Sequence, residues 1–218
     1  MDPRSAVVTG IRQHGRGSRR RTLYLDGDEW TTLPVEVLRD LDLREDDVVD
    51  TSELTERIAS IAPVRARERA LRLLMYRERS SFEITKRLSD DGYPEDVASL
   101  ITEDLLRTGL VDDERFAESY ARALIQARGY GRSRALRELS ARGIAPELAL
   151  SALEELAPDD GEDQRARVRA RSLVRPNDTV DRLAARLIRR GFSQSVALRA
   201  ARDTLTAILD ESPPEDGT

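Results

Sequence analysis

The sequence predicts a mainly α protein: a tandem array of three three-helix repeats behind a small N-terminal α/β extension of short antiparallel strands and helices. Three observations predict it. One pattern is written three times, at Lys86–Leu106, Arg137–Ala157 and Ala185–Leu205. The first 33 residues run instead in short β-rich segments. Charged residues make up 35% of the chain and aromatics 4%, and Lys86 is the one lysine among 36 basic residues. An Ala-, Leu-, Arg- and Glu-rich chain of this kind favours helices with aliphatic cores.

The extension comes first. Val7–Gln13 is β-rich, and Thr22–Leu25 with Glu29–Leu33 reads as a hairpin about Asp26-Gly27. Pro34–Leu41 gives a short helix, Leu43–Asp50 a connector, and Thr51–Ile61 a helix with Leu54, Ile58 and Ile61 on one face. Ala62-Pro63 is the expected boundary. The expected divisions are residues 1–62 for the extension, 63–110, 111–157 and 158–210 for the repeats, and 211–218 for a disordered tail.

Aligned on Gly92, Gly143 and Gly191, the three copies agree column by column. Leu88, Leu139 and Leu187 stand four residues before the glycine, and Tyr93, Ile144 and Phe192 directly after it. Ala98, Ala149 and Ala197 follow at six residues, and Asp104, Glu155 and Asp203 at twelve. Each copy predicts a helix that ends at glycine in the left-handed conformation, with a second helix starting two or three residues later. Another helix precedes each corner, at Arg65–Arg77, Asp112–Arg128 and Asp163–Leu173, the last carrying only Val168, Ala170 and Leu173 as apolar signal. Ser80 with Glu83, Ser133, and Asp178 with Asp181 are the expected caps of the middle helices. Glycines 51 and 48 residues apart place the array within the period range of helical repeats.

Catalytic and metal chemistry find little support. The chain has no cysteine and one histidine, His14, with no second ligand at metal spacing and no nucleophile. Gly10–Gly17 is a near miss for a phosphate-binding loop: Arg16 and Gly17 replace the Lys and Ser/Thr, and a strand follows where a helix is needed. The acidic pairs Asp90-Asp91, Asp112-Asp113 and Glu154-Glu155 are placed at helix ends or exposed faces. Neither an enzyme nor a cofactor is expected. No apolar run approaches the roughly 20 residues that span a bilayer, and the N-terminus lacks a signal-peptide core, so a cytoplasmic monomer is expected.

The arginines carry the functional signal. The net charge is −5, yet residues 164–202 hold 11 basic residues against 2 acidic. Arg182, Arg186, Arg189 and Arg190 share a face of the third repeat's middle helix, and Arg165 and Arg169 a face of the helix before it. Such a field is either a solvated face or a surface for a polyanion or an acidic protein. Arg19, Arg20 and Arg21, with Arg16, form a smaller patch. In repeat two, Arg128-Gly-Tyr-Gly-Arg132-Ser-Arg134 sets Tyr130 between arginines. Tyr130 either stacks on a base or docks in a partner groove, or staples two helices together. The residues before the three glycines change from Asp90-Asp91 through Ala141-Arg142 to Arg189-Arg190. If the repeats track the groove of a DNA filament, that gradient makes the third repeat the expected end nearest DNA.

Gly109-Leu-Val-Asp-Asp-Glu-Arg-Phe-Ala117, then Arg128–Leu139, then Arg142-Gly-Ile144 resemble the signature of RecX, the bacterial family that regulates the RecA recombinase. The resemblance covers the chain and implies a non-enzymatic regulator. It would lie in the groove of the RecA–DNA filament and restrain ATP hydrolysis, strand exchange and the co-protease activity behind the SOS response. It implies RecA contacts at Arg128, Tyr130, Arg132 and Arg134. Phe116, Tyr120, Leu136 and Leu139 are expected in the core. The alternative is a stand-alone DNA-binding repeat protein that acts through the basic third repeat.

Overall fold

The computed structural model describes residues 4–157 and 161–211. They form two compact units, divided between Asp112 and Asp113. The first holds strands β1 (Ser5–Gln13), β2 (Arg20–Leu25), β3 (Asp28–Pro34) and β4 (Val48–Asp50) with helices α1 (Val35–Leu41), α2 (Thr51–Tyr76), α3 (Ser81–Asp90) and α4 (Glu95–Arg107). The second holds α5 (Asp113–Arg122), a π-helical turn at Ala123–Ala127, α6 (Arg132–Ser140), α7 (Pro146–Leu156), α8 (Glu162–Leu173), α9 (Val180–Arg189) and α10 (Gln194–Glu211). The mainly α class with a small antiparallel sheet is as the sequence predicts.

The sheet order is β3-β2-β1-β4, all neighbours antiparallel. The β2–β3 hairpin turns at Asp26 and Gly27, both at positive φ, which matches the right-handed twist of the flanking strands. Strand β4 lies inside the expected connector. Its three residues are too short for an alternating signal, and pairing of Ala6 with Val49 defines it.

The expected boundary at Ala62-Pro63 falls inside α2, which runs unbroken from Thr51 to Tyr76. Proline removes one backbone hydrogen bond and crowds the carbonyl four residues back. Burial overrides that cost. Leu54, Ala62, Ala66, Ala70 and Leu73 form one buried stripe along the helix. Along its length it packs on α1, β4, α3 and α4. The extension and the first repeat therefore share a single core, from Val8 and Leu23 through to Leu88 and Leu105. Pro63→Ala should raise stability by about 1–3 kcal/mol by restoring the missing bond. A urea titration checks this, and an unchanged midpoint would show the helix already relaxed around the ring.

The three corners are built alike. Gly92, Gly143 and Gly191 have φ of 98°, 73° and 91°. The amide after each glycine donates to the leucine four residues before it: Tyr93 to Leu88 at 3.1 Å, Ile144 to Leu139 at 3.2 Å, Phe192 to Leu187 at 3.3 Å. Each glycine amide donates to the carbonyl three residues back. This double bond pattern closes the helix end, and the apolar pair that accompanies it is buried in all three copies. Burial is the first cause that pushes the Tyr93 hydroxyl up to about 12. Ala98, Ala149 and Ala197 are buried in the following helix. Asp104 pairs with Arg67 in repeat one, and Asp203 with Arg167 in repeat three, so one column ties the third helix to the first.

Four local expectations need correction. Helix α6 starts at Arg132 with Gly131 as its cap, so Ser133 lies in the first turn. The cap of α9 is Thr179, whose hydroxyl accepts from the Arg182 amide. Val168 is 63% exposed, and α8 buries Ala166 and Ala170, whose small side chains let α8 pack closely on its neighbours. Asp91 is buried and accepts from Arg69 at 2.7 Å, so it does not contribute to a surface charge gradient. Phe116 and Leu139 are buried as expected, while Tyr120 and Leu136 pack half-buried at the core's edge. The start of the third repeat expected at residue 158, and all of the tail expected at 211–218 except its first residue, lie outside the described residues.

Candidate functional site

Five arginines of the second unit, Arg128, Arg134, Arg169, Arg189 and Arg190, come together where repeats two and three meet. The π-helical turn Ala123–Ala127 ends α5 with one extra residue per turn, a feature often found at functional positions. The Arg128 amide donates to the Ala123 carbonyl at 3.0 Å, and the Tyr130 amide to Leu124 at 3.0 Å. Gly129, at φ 59°, lets the chain reverse. The reversal delivers Gly131 against the third corner. Its amide donates to the Arg190 carbonyl at 2.8 Å.

The side chains lock the same junction. Arg134 donates to the Arg189 carbonyl at 3.2 Å, and Arg190 to the Arg128 carbonyl at 3.3 Å. The Arg134 guanidinium also lies 3.9 Å from the centroid of the Tyr130 ring, a cation–π contact. Arg169 covers Gly129, where an added Cβ would stand 3.2 Å from its Cδ. The Arg190 guanidinium is held below its ordinary value, first by burial and then by the neighbouring Arg169 and Arg134 cations.

The predicted residues thus divide by what holds them. Arg132 donates to the Ala157 carbonyl at 3.0 Å and the Leu153 carbonyl at 3.4 Å, which closes the C-terminal end of α7. Arg186 pairs with the Asp178 carboxylate, and both side chains are largely buried. Arg128, Arg182 and Arg189 are exposed. Arg165 is half-buried. In the other unit, Arg19 pairs with Glu36, Arg21 donates to the Ser18 and Arg20 carbonyls, and Arg20 lies against Gly92. Sequence reasoning missed Gly131 as a contact position and Asp178 as an ion-pair partner. Only the run Gly-Tyr-Gly hinted at the first, and nothing local marks the second.

Asp178 has a pH consequence. Burial alone would raise its carboxyl, but the Arg175 amide at 2.8 Å and the Arg186 guanidinium outweigh it and hold the group below its usual value. A depressed carboxyl contributes stability that is present above the unfolded value, about 3.9, and is lost as pH falls through the folded one. Asp178→Asn should therefore be less stable at neutral pH and converge on the parent below about pH 4. Urea midpoints across that range read it, and parallel curves would show the carboxylate to be unpaired in solution.

Among the described residues, no group of side chains has metal-site spacing, and no helix is long and apolar enough to cross a membrane. Residues 66–101 match the first three-helix domain of RecX, and residues 112–153 the second. The regulatory protein RecX of Mycolicibacterium smegmatis is 37% identical over 142 residues, 61% of this chain and 75% of that one. The chain belongs to the RecX family. The regulatory protein RecX of Corynebacterium efficiens is 33% identical over 170 residues, 73% of this chain and 81% of its own length. A crystal structure of regulatory protein RecX superposes with a TM-score of 0.58, at 24% identity, over 91% of this chain and 99% of that one, and supports the RecX fold. The matched second domain contains the whole Arg128–Arg134 turn.

Proposed function

We propose that this RecX-family chain is a non-enzymatic, cytoplasmic regulator that binds the RecA–DNA filament. There it restrains ATP hydrolysis, strand exchange and co-protease activity in DNA repair and the SOS response. Membership of a family of regulatory proteins carries the reading, through matches to its first and second three-helix domains. The array supports it, because each small helical unit can meet a separate stretch of a long helical partner. The proposed contacts are Arg128 and Tyr130 at the junction, with Arg182 and Arg189 facing phosphate or acidic side chains. Arg132 and Arg134 position that surface through their carbonyl bonds.

The test is RecA-dependent ATP hydrolysis on single-stranded DNA with added protein. Inhibition at substoichiometric levels is expected, together with co-sedimentation on the filament. A folded Arg128→Glu, Arg189→Glu double variant should weaken both. No inhibition and no co-sedimentation by the parent would refute the reading.

The 11-to-2 charge imbalance over residues 164–202 favours a second reading, direct DNA binding. It predicts binding to DNA alone, with a steep salt dependence that flattens in Arg182→Glu, Arg189→Glu.

A further inference from the structure

A pocket of about 320 Å3 opens beside the junction, between the π-helical turn and α8. Ile125 and Phe192 form its buried inner wall, and Val168, 63% exposed, forms its lip. Tyr130 closes one side, and Arg165 and Arg169 border the opening. No carboxylate is among the residues that line it. An exposed aliphatic lip above an apolar interior, bordered by two cations, is the anatomy of a hot-spot pocket rather than a solvated face.

The Arg169 donors narrow the choice of ligand. Its Nε is buried and has no hydrogen-bond partner among the described residues. Its Nη1 reaches Ser172 Oγ only at a long 3.5 Å. The Nε itself packs toward Gly129, and Arg169 as a whole is a half-buried cation among the residues that line the cavity, where an anion is favoured. Arg134 and Arg190, outside the pocket's lining, each give one N–H to a backbone carbonyl, of Arg189 and Arg128. A phosphate backbone has no apolar group to fill the cavity. A cation at the rim of a cavity walled by Ile125 and Phe192 suits one carboxylate next to one apolar group.

The geometry points to a docking site for an acidic peptide segment of a partner protein, whose bulky apolar side chain fills the cavity while an adjacent carboxylate meets Arg169. Charge complementarity selects this occupant. The chain's own end, ESPPEDGT, is acidic but carries no bulky apolar side chain and does not fit. The inference goes beyond filament regulation and holds whichever protein supplies the segment, so the test uses no RecA.

Full-length protein is titrated into labelled dodecapeptides of glycine and aspartate that carry one central phenylalanine, leucine, isoleucine or tryptophan. At least one should bind saturably by fluorescence anisotropy. Affinity should fall about tenfold or more when that residue becomes alanine, or when the aspartates become asparagines. Val168→Glu and Arg169→Ala should each cause a similar loss with unchanged circular dichroism. Val168 is exposed, so its variant decides the matter even if Arg169→Ala misfolds. Binding that ignores the apolar residue, or survives Val168→Glu, overturns the assignment. So does a labelled oligothymidylate that binds with Val168 and Arg169 dependence while every peptide fails, because the pocket would then serve nucleic acid.

Discussion

Gly131→Ala should destabilise the second unit by about 3 kcal/mol or more, at the upper end of what overpacking usually costs. Gly131 has an ordinary backbone conformation, φ −75°, so strain is not the reason. The reason is space. A Cβ there would stand well inside contact of the Gly191 carbonyl and 2.5 Å from the Phe192 amide nitrogen. Backbone atoms cannot change rotamer to yield. The substitution must also stretch the bond from the Gly131 amide to Arg190. Hydrogen exchange should quicken across repeats two and three and stay unchanged in residues 4–112, which form the other unit. A loss under about 0.5 kcal/mol in urea, the size of an ordinary surface change, would show that the two turns do not meet as closely in solution.

Asp91→Ala should cost about 3–5 kcal/mol in the first unit, the usual penalty for removing one partner of a buried pair. Arg69 and Asp91 have side chains only 12% and 6% exposed and meet at 2.7 Å, with Arg87 3.6 Å away. Without the carboxylate, Arg69 keeps a buried charge with its counterion gone. Asp91→Asn retains an acceptor and should lose less. Equilibrium urea curves at constant m-value measure both. A loss below about 1 kcal/mol for the alanine variant would mean that water reaches the guanidinium.

What could be read from the sequence follows from how far apart the responsible residues lie. The corners were legible because leucine, glycine and the next apolar residue sit within a six-residue window. The bonds that close each turn join those same residues. The unbroken α2 was not legible, because Pro63 is a strong local signal and the burial that overrides it comes from four other elements. The buried face of α8 is alanine, which carries almost no hydrophobic signal beside the outward-facing Val168. Arginine patterning singled out the second and third repeats, yet could not say which guanidinium would close a helix end, as Arg132 does, or neutralise a carboxylate, as Arg186 does. Those roles depend on Ala157 and Asp178, brought near only by the folded chain.

The 26 residues of α2 also bear on how the first unit can engage anything larger. At 1.5 Å per residue the helix is roughly 39 Å long. The strands and the first three-helix repeat hang on it as on one rod. Two surfaces joined by a string each search their own volume, and the second contact is discounted by the slack. Two surfaces on a rod arrive together, at a set offset. Whatever the Asp26-Gly27 hairpin touches, the repeat's outer face is presented a fixed distance away, and a partner whose sites miss that distance gains nothing from the second one.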